Sequence, residues 1–272
     1  MDSKRILYVS QEIHPYLPVN EISKPSLDFP KMMNSKGHQV RVFMPRYGLI
    51  NERRHQLHEV IRLSGINIIV NDMDQPLIIK VASVPQARMQ VYFIDNEEFF
   101  KRKATFNDED GNFFADNDQR AIFFCRGVIE TVKKLGWSPD IIHCHGWMAS
   151  LMPLYLRKFH YDDPLFADSK TVLSVYDSKD AEMPATLGNN LKFDGFNEEE
   201  MANFSNTKLD DIYAGAAKYC DAAVIGADNV SDELKEKIKN SVDNVLDYSS
   251  EAEFMDQLRN LYESIITEET IA

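Results

Sequence analysis

Near its start the chain reads Arg5-Ile-Leu-Tyr-Val-Ser10, a short and continuous apolar run. A strand that is apolar on both faces is typical of a parallel sheet covered by helices on each side. A second run of this kind, Gln39-Val-Arg-Val-Phe-Met44, follows a helical segment over Phe29–Ser35 that ends before Gly37. Glycine is favoured just after a helix because it adopts the left-handed conformation easily. The pattern predicts a β-α-β unit with a right-handed crossover.

Strands and helices alternate through the rest of the chain. Short strands before residue 95, with a turn over Asn71–Pro76, indicate either an antiparallel excursion or an extension of the sheet. Loops are expected over Glu97–Asp116 and Ser178–Thr207. The further predicted strands are Ile66–Val70, Leu77–Ala82, Gln90–Ile94, Asp140–Cys144, Thr171–Val175 and Ala222–Gly226. The further predicted helices are Asn117–Leu135, Trp147–Phe159, Leu209–Tyr219 and Glu251–Ile266. Another helix is predicted to be capped by Asp228 or Ser231 and to run through Ile238.

This alternation predicts an α/β fold: a doubly wound, Rossmann-like, mostly parallel sheet with helices on both faces. The chain shows no internal repeat and no low-complexity linker. We therefore expect one domain over residues 1–245 and a C-terminal segment over 246–272 whose helix packs back on it. That helix carries an apolar stripe formed by Phe254, Leu258, Leu261 and Ile265.

Composition argues against several classes of function. The 272 residues carry a net charge of −13, which repels the phosphates of nucleic acids and the surface of anionic membranes, so neither partner is expected. No stretch of 18 apolar residues is present that could span a bilayer. The three cysteines, Cys125, Cys144 and Cys220, are odd in number and widely spaced. Such usage favours reduced thiols in a cytoplasmic protein over a disulfide framework.

Polar and aromatic residues follow several of the predicted parallel strands. In doubly wound sheets, ligands bind in the crevice outside the carboxyl ends of the strands. We expect a binding crevice at that edge of the sheet. The side chains expected to face it are Glu12, His14, His145, Trp147, Tyr176 and Asp177.

Two patterns superficially suggest metal binding. His143 and His145 lie two residues apart on a predicted strand and share one face, but no cysteine or carboxylate has ligand spacing nearby. Asp108, Asp110 and Asn112 alternate as in a calcium loop, but the glycine lies between them and no glutamate closes the loop at the twelfth position. We expect neither a metal nor another cofactor, and a solvated acidic loop at residues 108–112.

Five segments in consistent order and spacing, over roughly residues 4–240, resemble the N-terminal domain of the glycogen and starch synthases, glycosyltransferase family 5. The resemblance implies one half of the two-domain GT-B fold and transfer of glucose from ADP- or UDP-glucose to an α-1,4-glucan. The segments are Ile6-Leu-Tyr-Val-Ser-Gln-Glu-Ile-His-Pro15, Lys36-Gly-His-Gln-Val-Arg-Val-Phe-Met-Pro-Arg-Tyr-Gly48, Trp137-Ser-Pro-Asp-Ile-Ile-His-Cys-His-Gly-Trp147, Lys170-Thr-Val-Leu-Ser-Val175 and Ala217-Lys-Tyr-Cys-Asp-Ala-Ala-Val224.

The chain departs from the family at the loop after the first strand. The resemblance implies a Lys-Thr-Gly-Gly-Leu segment that meets the phosphates of the sugar nucleotide. Aligned from Pro15, this chain has Pro18-Val-Asn20-Glu21-Ile22 instead. Pro18 has neither a charge nor an amide N–H, and Glu21 places a carboxylate where a diphosphate would lie. The loop is not expected to hold a phosphate in the manner of the family.

Two further family positions are changed. The resemblance implies an aspartate important for catalysis where this chain has Gly146, and a catalytic histidine where it has Tyr176, followed by Asp177. In the loop that corresponds to the acceptor side of the family, Phe113 and Phe114 are either sugar-stacking rings or aromatic anchors of the loop. Both alternatives remain open at this point.

Three functions are compatible with these observations. The first is an active glucan synthase, disfavoured by Pro18, Gly146 and Tyr176 and by a chain that ends soon after the first GT-B domain. The second is a relative that is non-catalytic on its own and binds α-glucan or a protein of glycogen metabolism through the retained crevice. The third is a split enzyme whose donor domain is supplied by another chain, which would need a large exposed apolar face. The second is the preferred hypothesis.

Overall fold

A computed structural model describes residues 3–84, 87, 89–179, 181–249 and 251–267, apart from the side chains of residues 251 and 252. The strands are β1 (Arg5–Ser10), β2 (Gln39–Pro45), β3 (His58–Glu59), β4 (Ile66–Val70), β5 (Met73–Val84), β6 (Met89–Asp95), β7 (Ile141–His145), β8 (Lys170–Val175), β9 (Ala222–Ile225) and β10 (Val245–Leu246). The helices are α1 (Pro25–Ser35), α2 (Glu52–His55), α3 (Glu97–Phe100), α4 (Asn117–Leu135), α5 (Met152–Phe159), α6 (Leu187–Phe193), α7 (Glu198–Ala202), α8 (Leu209–Ala217), α9 (Asp232–Lys239) and α10 (Glu251–Thr267).

The strands form one sheet in the order β10-β9-β8-β7-β1-β2-β6-β5-β3, and β4 pairs with β5. Every pair from β10 to β6 is parallel, whereas β5 pairs antiparallel with β6, β3 and β4. The α/β class and the mostly parallel sheet predicted from the sequence are therefore confirmed, and the short strands before residue 95 form an antiparallel extension of that sheet. The chain leaves β1 towards β2 on one side, and β7 lies against β1 on the other. The order of strands thus reverses at β1 and β7, where the crevice of a doubly wound sheet is expected.

The β4–β5 hairpin corrects one predicted boundary. The turn consists of Asn71 and Asp72 alone, which have φ angles of +49° and +61°, and β5 begins at Met73. Asparagine and aspartate tolerate this left-handed conformation better than other residues. A two-residue turn therefore suffices, and Gln75 and Pro76, expected in the turn, pair with Ile68 and Asn67 of β4.

Other differences arise from local capping. The helix predicted over Trp147–Phe159 is divided into a 3-10 turn at Trp147–Ala149 and α5, which has Pro153 in its first turn. Proline is favoured there because its missing N–H has no intrahelical partner to lose. The predicted loops also contain the short helices α3, α6 and α7. Asn96 caps α3 and Asn197 caps α7, each by accepting a bond from a backbone N–H.

Helix α10 lies against the face of the sheet formed by β1 and β7. Phe254, Leu258, Tyr262 and Ile265 are buried, while Leu261 is only half-buried. The Oη of Tyr262 lies 2.5 Å from Nδ1 of His143 and donates to Oη of Tyr8 at 3.2 Å. Residues 1–2, 250 and 268–272, which belong to the predicted domain and C-terminal segment, lie outside the described residues. A division of the chain after residue 245 stays a prediction, and β10 crosses it.

Removing the hydroxyl of Tyr262 tests this contact. We expect Tyr262→Phe to lower the free energy of unfolding by about 2 kcal/mol, because two buried polar partners lose a hydrogen bond. Urea denaturation of both proteins measures the difference. Tyr248→Phe is the matched control, since Tyr248 is 40% exposed. A loss no larger than that of the control would contradict the proposed role of the hydroxyl.

Candidate functional site

A hollow with a volume of about 680 Å³ opens at the carboxyl ends of β1, β7 and β8. We call it the switch-point cleft. Another hollow, of about 370 Å³, lies between β4, α4 and α5, away from those strand ends. Among the residues that line the switch-point cleft are Gln11, Glu12, Asn20, Glu21, Phe106, Phe113, Trp147, Tyr176, Asp177, Lys179 and Tyr213.

The loop between β1 and α1 uses its own backbone amides. Oδ1 of Asn20 accepts hydrogen bonds from the backbone N–H groups of Ile22 at 2.9 Å and Ser23 at 2.7 Å. Nδ2 of Asn20 donates to Oε2 of Glu12 at 2.5 Å, and Oγ of Ser23 donates to the carbonyl of Pro18 at 2.7 Å. Free amides at a helix start are what make such a loop an anion site. Here the amides of residues 22 and 23 already donate to an acceptor within the loop.

Glu12 forms a mostly buried carboxylate at the side of the cleft, with 9% of its surface exposed. Burial raises the pKa of its carboxyl group, against the opposing effects of the Asn20 hydrogen bond and the positive charge of Lys179. The cleft also contains the carboxylates of Glu21 and Asp177. The described residues that line the cleft thus include three carboxylates and one ammonium group. Because negative charge is in excess, the cleft is unfavourable for an anionic ligand such as a diphosphate.

Gly146 lies beside the cleft, next to the side chain of Gln11, which lines it. Gly146 has φ +82° and ψ 170°, a conformation that is essentially restricted to glycine. A Cβ atom at this position would lie 2.3 Å from Oε1 of Gln11 and 2.4 Å from its Cδ. Oε1 of Gln11 also accepts a hydrogen bond from the N–H of Met148 at 3.2 Å. The side chain of Gln11 therefore occupies the space into which a side chain at 146 would project.

Tyr176 belongs as much to the core as to the cleft. Its side chain is 1% exposed, and its Oη lies 2.9 Å from Nδ1 of His145. Its ring also covers Gly226, where a Cβ atom would approach within 2.3 Å. A hydroxyl that is engaged with a buried histidine is poorly placed to replace the catalytic histidine that the family resemblance implies at this position.

Aromatic rings form one wall of the cleft. Trp147 packs against Phe106 with ring centroids 5.1 Å apart and against Phe113 at 5.0 Å. Phe114 instead lies under the guanidinium of Arg102 at 4.5 Å, outside the cleft. Phe113 thus lines the wall of the cleft, whereas Phe114 packs against Arg102.

The structure brings together most of the predicted crevice residues, but not all. His145 is fully buried under Tyr176, so the expectation that it faces the crevice is wrong. It lies on the face of β7 that carries His143, beneath Phe29 of α1. His14 is half-buried, and its ring does not line the cleft. Those found in the cleft are Glu12, Asn20, Glu21, Phe113, Trp147, Tyr176 and Asp177.

Sequence reasoning missed Gln11, Phe106 and Lys179. The position of Gln11 directly after β1 could have indicated it, because the next residue, Glu12, was found by that criterion. Phe106 and Lys179 lie in loops whose course no local pattern predicts.

Asp108 accepts hydrogen bonds from the N–H groups of Asp110 and Asn112, which folds the acidic loop on itself. Across the described part of the chain, no three His, Cys, Asp or Glu side chains lie close enough to hold a metal ion.

A doubly wound sheet with a cleft at its switch point is similar to the catalytic domain of a GT-B glycosyltransferase. The catalytic domain of starch synthase IV from Arabidopsis thaliana, bound to ADP and acarbose, superposes on 90% of this chain and 51% of its own with a TM-score of 0.72 at 15% identity. The family described as starch synthase catalytic domain matches residues 5–248. The chain belongs to this family.

Curated relatives agree with that assignment. Glycogen synthase from Chlorobium limicola is 41% identical over 173 residues, which are 63% of this chain and 35% of the relative. Glycogen synthase from Chlorobium phaeobacteroides is 42% identical over the same length. The chain thus spans about a third of the length of the curated relatives it matches.

Of the helices in the described ranges, none is long and apolar enough to cross a membrane.

Proposed function

We propose that this protein is a non-catalytic relative of the glycogen and starch synthases that binds an α-glucan in its switch-point cleft. The observation that carries the proposal is the close contact between Gly146 and the side chain of Gln11 beside the cleft. Gly146 replaces the aspartate implied by the family, its backbone conformation suits glycine alone, and Gln11 fills the adjacent space. A carboxylate cannot be supplied at that point without moving both residues.

The rest of the cleft supports loss of the donor reaction. Pro18 and Glu21 stand in the loop that would meet the phosphates, and Asn20 already occupies the amides of residues 22 and 23. Tyr176 has its hydroxyl bound to His145. Each change removes a positive charge, an amide donor or a proton-transferring group, and together they disfavour a sugar nucleotide.

Sugar binding is supported by what the cleft retains. Trp147, Phe106 and Phe113 provide apolar ring surface, and Glu12 and Gln11 provide hydrogen-bonding groups beside it. Pockets of this kind, apolar with a few fixed polar groups, are typical small-ligand sites. The similar starch synthase IV domain was captured with ADP and acarbose, which makes a glucan the first ligand to test. A protein of glycogen metabolism is the alternative partner. The three free thiols favour a cytoplasmic location.

Two measurements on the purified chain test the proposal. We expect no glucosyl transfer from ADP-glucose to glycogen above a blank without protein, and calorimetric binding of maltoheptaose at millimolar concentration or below. Phe113→Ala removes an aromatic contact in the cleft and should weaken binding about tenfold, whereas Phe193→Ala, which truncates an exposed ring elsewhere, should not.

Either of two results would overturn this proposal. Turnover that disappears in Asp177→Ala would show that the cleft is catalytic. A flat calorimetric trace with maltoheptaose would exclude glucan binding, and capture of partner proteins from a native extract would then be the next experiment.

A further inference from the structure

We propose that Gln11 is the ligand-selecting residue of the switch-point cleft, where its amide donates a hydrogen bond to a hydroxyl of an uncharged sugar. The inference rests on the proposed function and deepens it. It assigns a defined binding group to the place where the family resemblance implies a catalytic carboxylate.

Gln11 is held rigidly at the point where β1 and β7 separate. Its backbone N–H donates to the carbonyl of His145 at 3.3 Å, and its Oε1 accepts from the N–H of Met148 at 3.2 Å. The residue is 2% exposed and still lines the cleft. A side chain fixed from both ends loses little conformational entropy when a ligand arrives, so its hydrogen bond contributes more of its strength to binding.

The amide nitrogen of Gln11 is the group left for a ligand. A carboxamide has two N–H donors on its nitrogen in addition to the acceptor oxygen. The oxygen faces Met148, and no atom in the described ranges accepts a hydrogen bond from Nε2. Nε2 is not among the described side-chain nitrogens that are fully buried without a partner, so solvent in the cleft reaches it and an acceptor on a ligand can take the place of water.

The neighbouring groups define the class of that ligand. The carboxylate of Glu12 is an acceptor beside the amide donor, and the two together match a pair of sugar hydroxyls. Glu21 and Asp177 add negative charge, so the acceptor on the ligand is not a phosphate oxygen. An amide gains or loses no proton near neutral pH. Gln11 can therefore orient a hydroxyl group but cannot assist its transfer.

Gln11→Glu tests the assignment with the smallest change of shape. The new side chain keeps an oxygen for the N–H of Met148 but replaces the amide donor with an acceptor. Calorimetry with maltoheptaose should show an affinity at least about tenfold lower than that of the wild type. Gln11→Met, which fills the same space without an amide, should show a similar loss. Circular dichroism melting checks that both variants remain folded.

A direct readout separates recognition from a merely structural role. The side-chain NH₂ resonances of Gln11, assigned by their loss in Gln11→Glu, should shift when maltoheptaose is added and should not shift with ADP. If the wild type binds maltoheptaose but these resonances stay still, or if both folded variants bind as tightly as the wild type, the inference is wrong and the proposed function stands. If the wild type does not bind maltoheptaose, both are wrong.

Discussion

Gly146→Asp is expected to lower the free energy of unfolding by about 4 kcal/mol and to produce no glucosyl transfer. A non-glycine residue at φ +82° and ψ 170° costs about 1–3 kcal/mol. Overpacking against the side chain of Gln11, 2.3 Å from the new Cβ, adds a further cost of about 1–3 kcal/mol. Restoring the carboxylate of the family by itself therefore damages the fold instead of recreating the catalytic group.

Urea denaturation measures this loss, and Gly195→Asp is the matched control. Gly195 has φ +99°, and no described atom beyond its chain neighbours lies within 4 Å of the place that a Cβ would take, so the control isolates the backbone cost of about 1–3 kcal/mol. In the double variant Gln11→Ala/Gly146→Asp the steric part should be relieved, which appears as a favourable coupling of about 2 kcal/mol between the two positions. A Gly146→Asp loss no greater than that of Gly195→Asp would show that Gln11 moves aside freely.

Acid is expected to destabilise the protein through the two histidines under the cleft. Burial holds the pKa of His143 well below its usual value of 6.5 and lowers the pKa of His145 to about 3. Their hydrogen-bond partners are the hydroxyl groups of Tyr262, Ser174 and Tyr176, which do not stabilise an imidazolium as a carboxylate would. The neighbouring imidazole rings, with centroids 4.1 Å apart, also repel each other when charged.

The direction of the effect follows from proton uptake. The unfolded chain binds protons at these histidines as the pH falls through about 6.5, and the folded chain does so only at much lower pH. The stabilisation is therefore complete above about pH 6.5 and is lost as the pH falls towards 3. Below about pH 6.5 each imidazole contributes about 1.4 kcal/mol per pH unit, so the pair loses about 4 kcal/mol between about pH 6.5 and about pH 5.

Urea denaturation at a series of pH values tests this slope. His145→Asn keeps an acceptor near the hydroxyl of Tyr176 without an ionisable ring, and its profile should be shallower by about 1.4 kcal/mol per pH unit. The raised pKa values of Glu12, Asp118 and Asp194 act in the opposite direction, but these carboxyl groups are common to both proteins and their effect cancels in the comparison. Parallel profiles for the wild type and the variant would exclude the histidine as the cause.

The parallel core could be predicted because its signals are local. The runs beginning at Arg5 and Gln39 are mostly apolar, and helix α4 begins and ends at the predicted residues, Asn117 and Leu135. The exact position of the two-residue turn at Asn71 and Asp72 is harder to predict, because several polar residues next to it are equally typical of turns.

The cleft could be predicted only in part. Residues that directly follow parallel strands, such as Glu12 and Asp177, reach it because the ends of these strands meet at one edge. Alternation along β7 placed His143 and His145 on one face but could not tell whether that face meets solvent, which is decided by α1 and α10. The substitution at 146 was visible in the sequence, whereas its compensation by Gln11 needed the distance between two segments that lie far apart in the chain.

The contact between Tyr262 and Tyr8 joins positions 254 residues apart. A hydroxyl of β1, the central strand, is thus sealed by the last described helix, and the same helix completes the burial of His143. During synthesis the N-terminal strands must wait, with this face uncovered, until α10 has left the ribosome. Contacts of such high sequence separation slow folding and prolong the exposure of apolar surface. We therefore expect the β1–β7 face to be the surface that chaperones bind during translation.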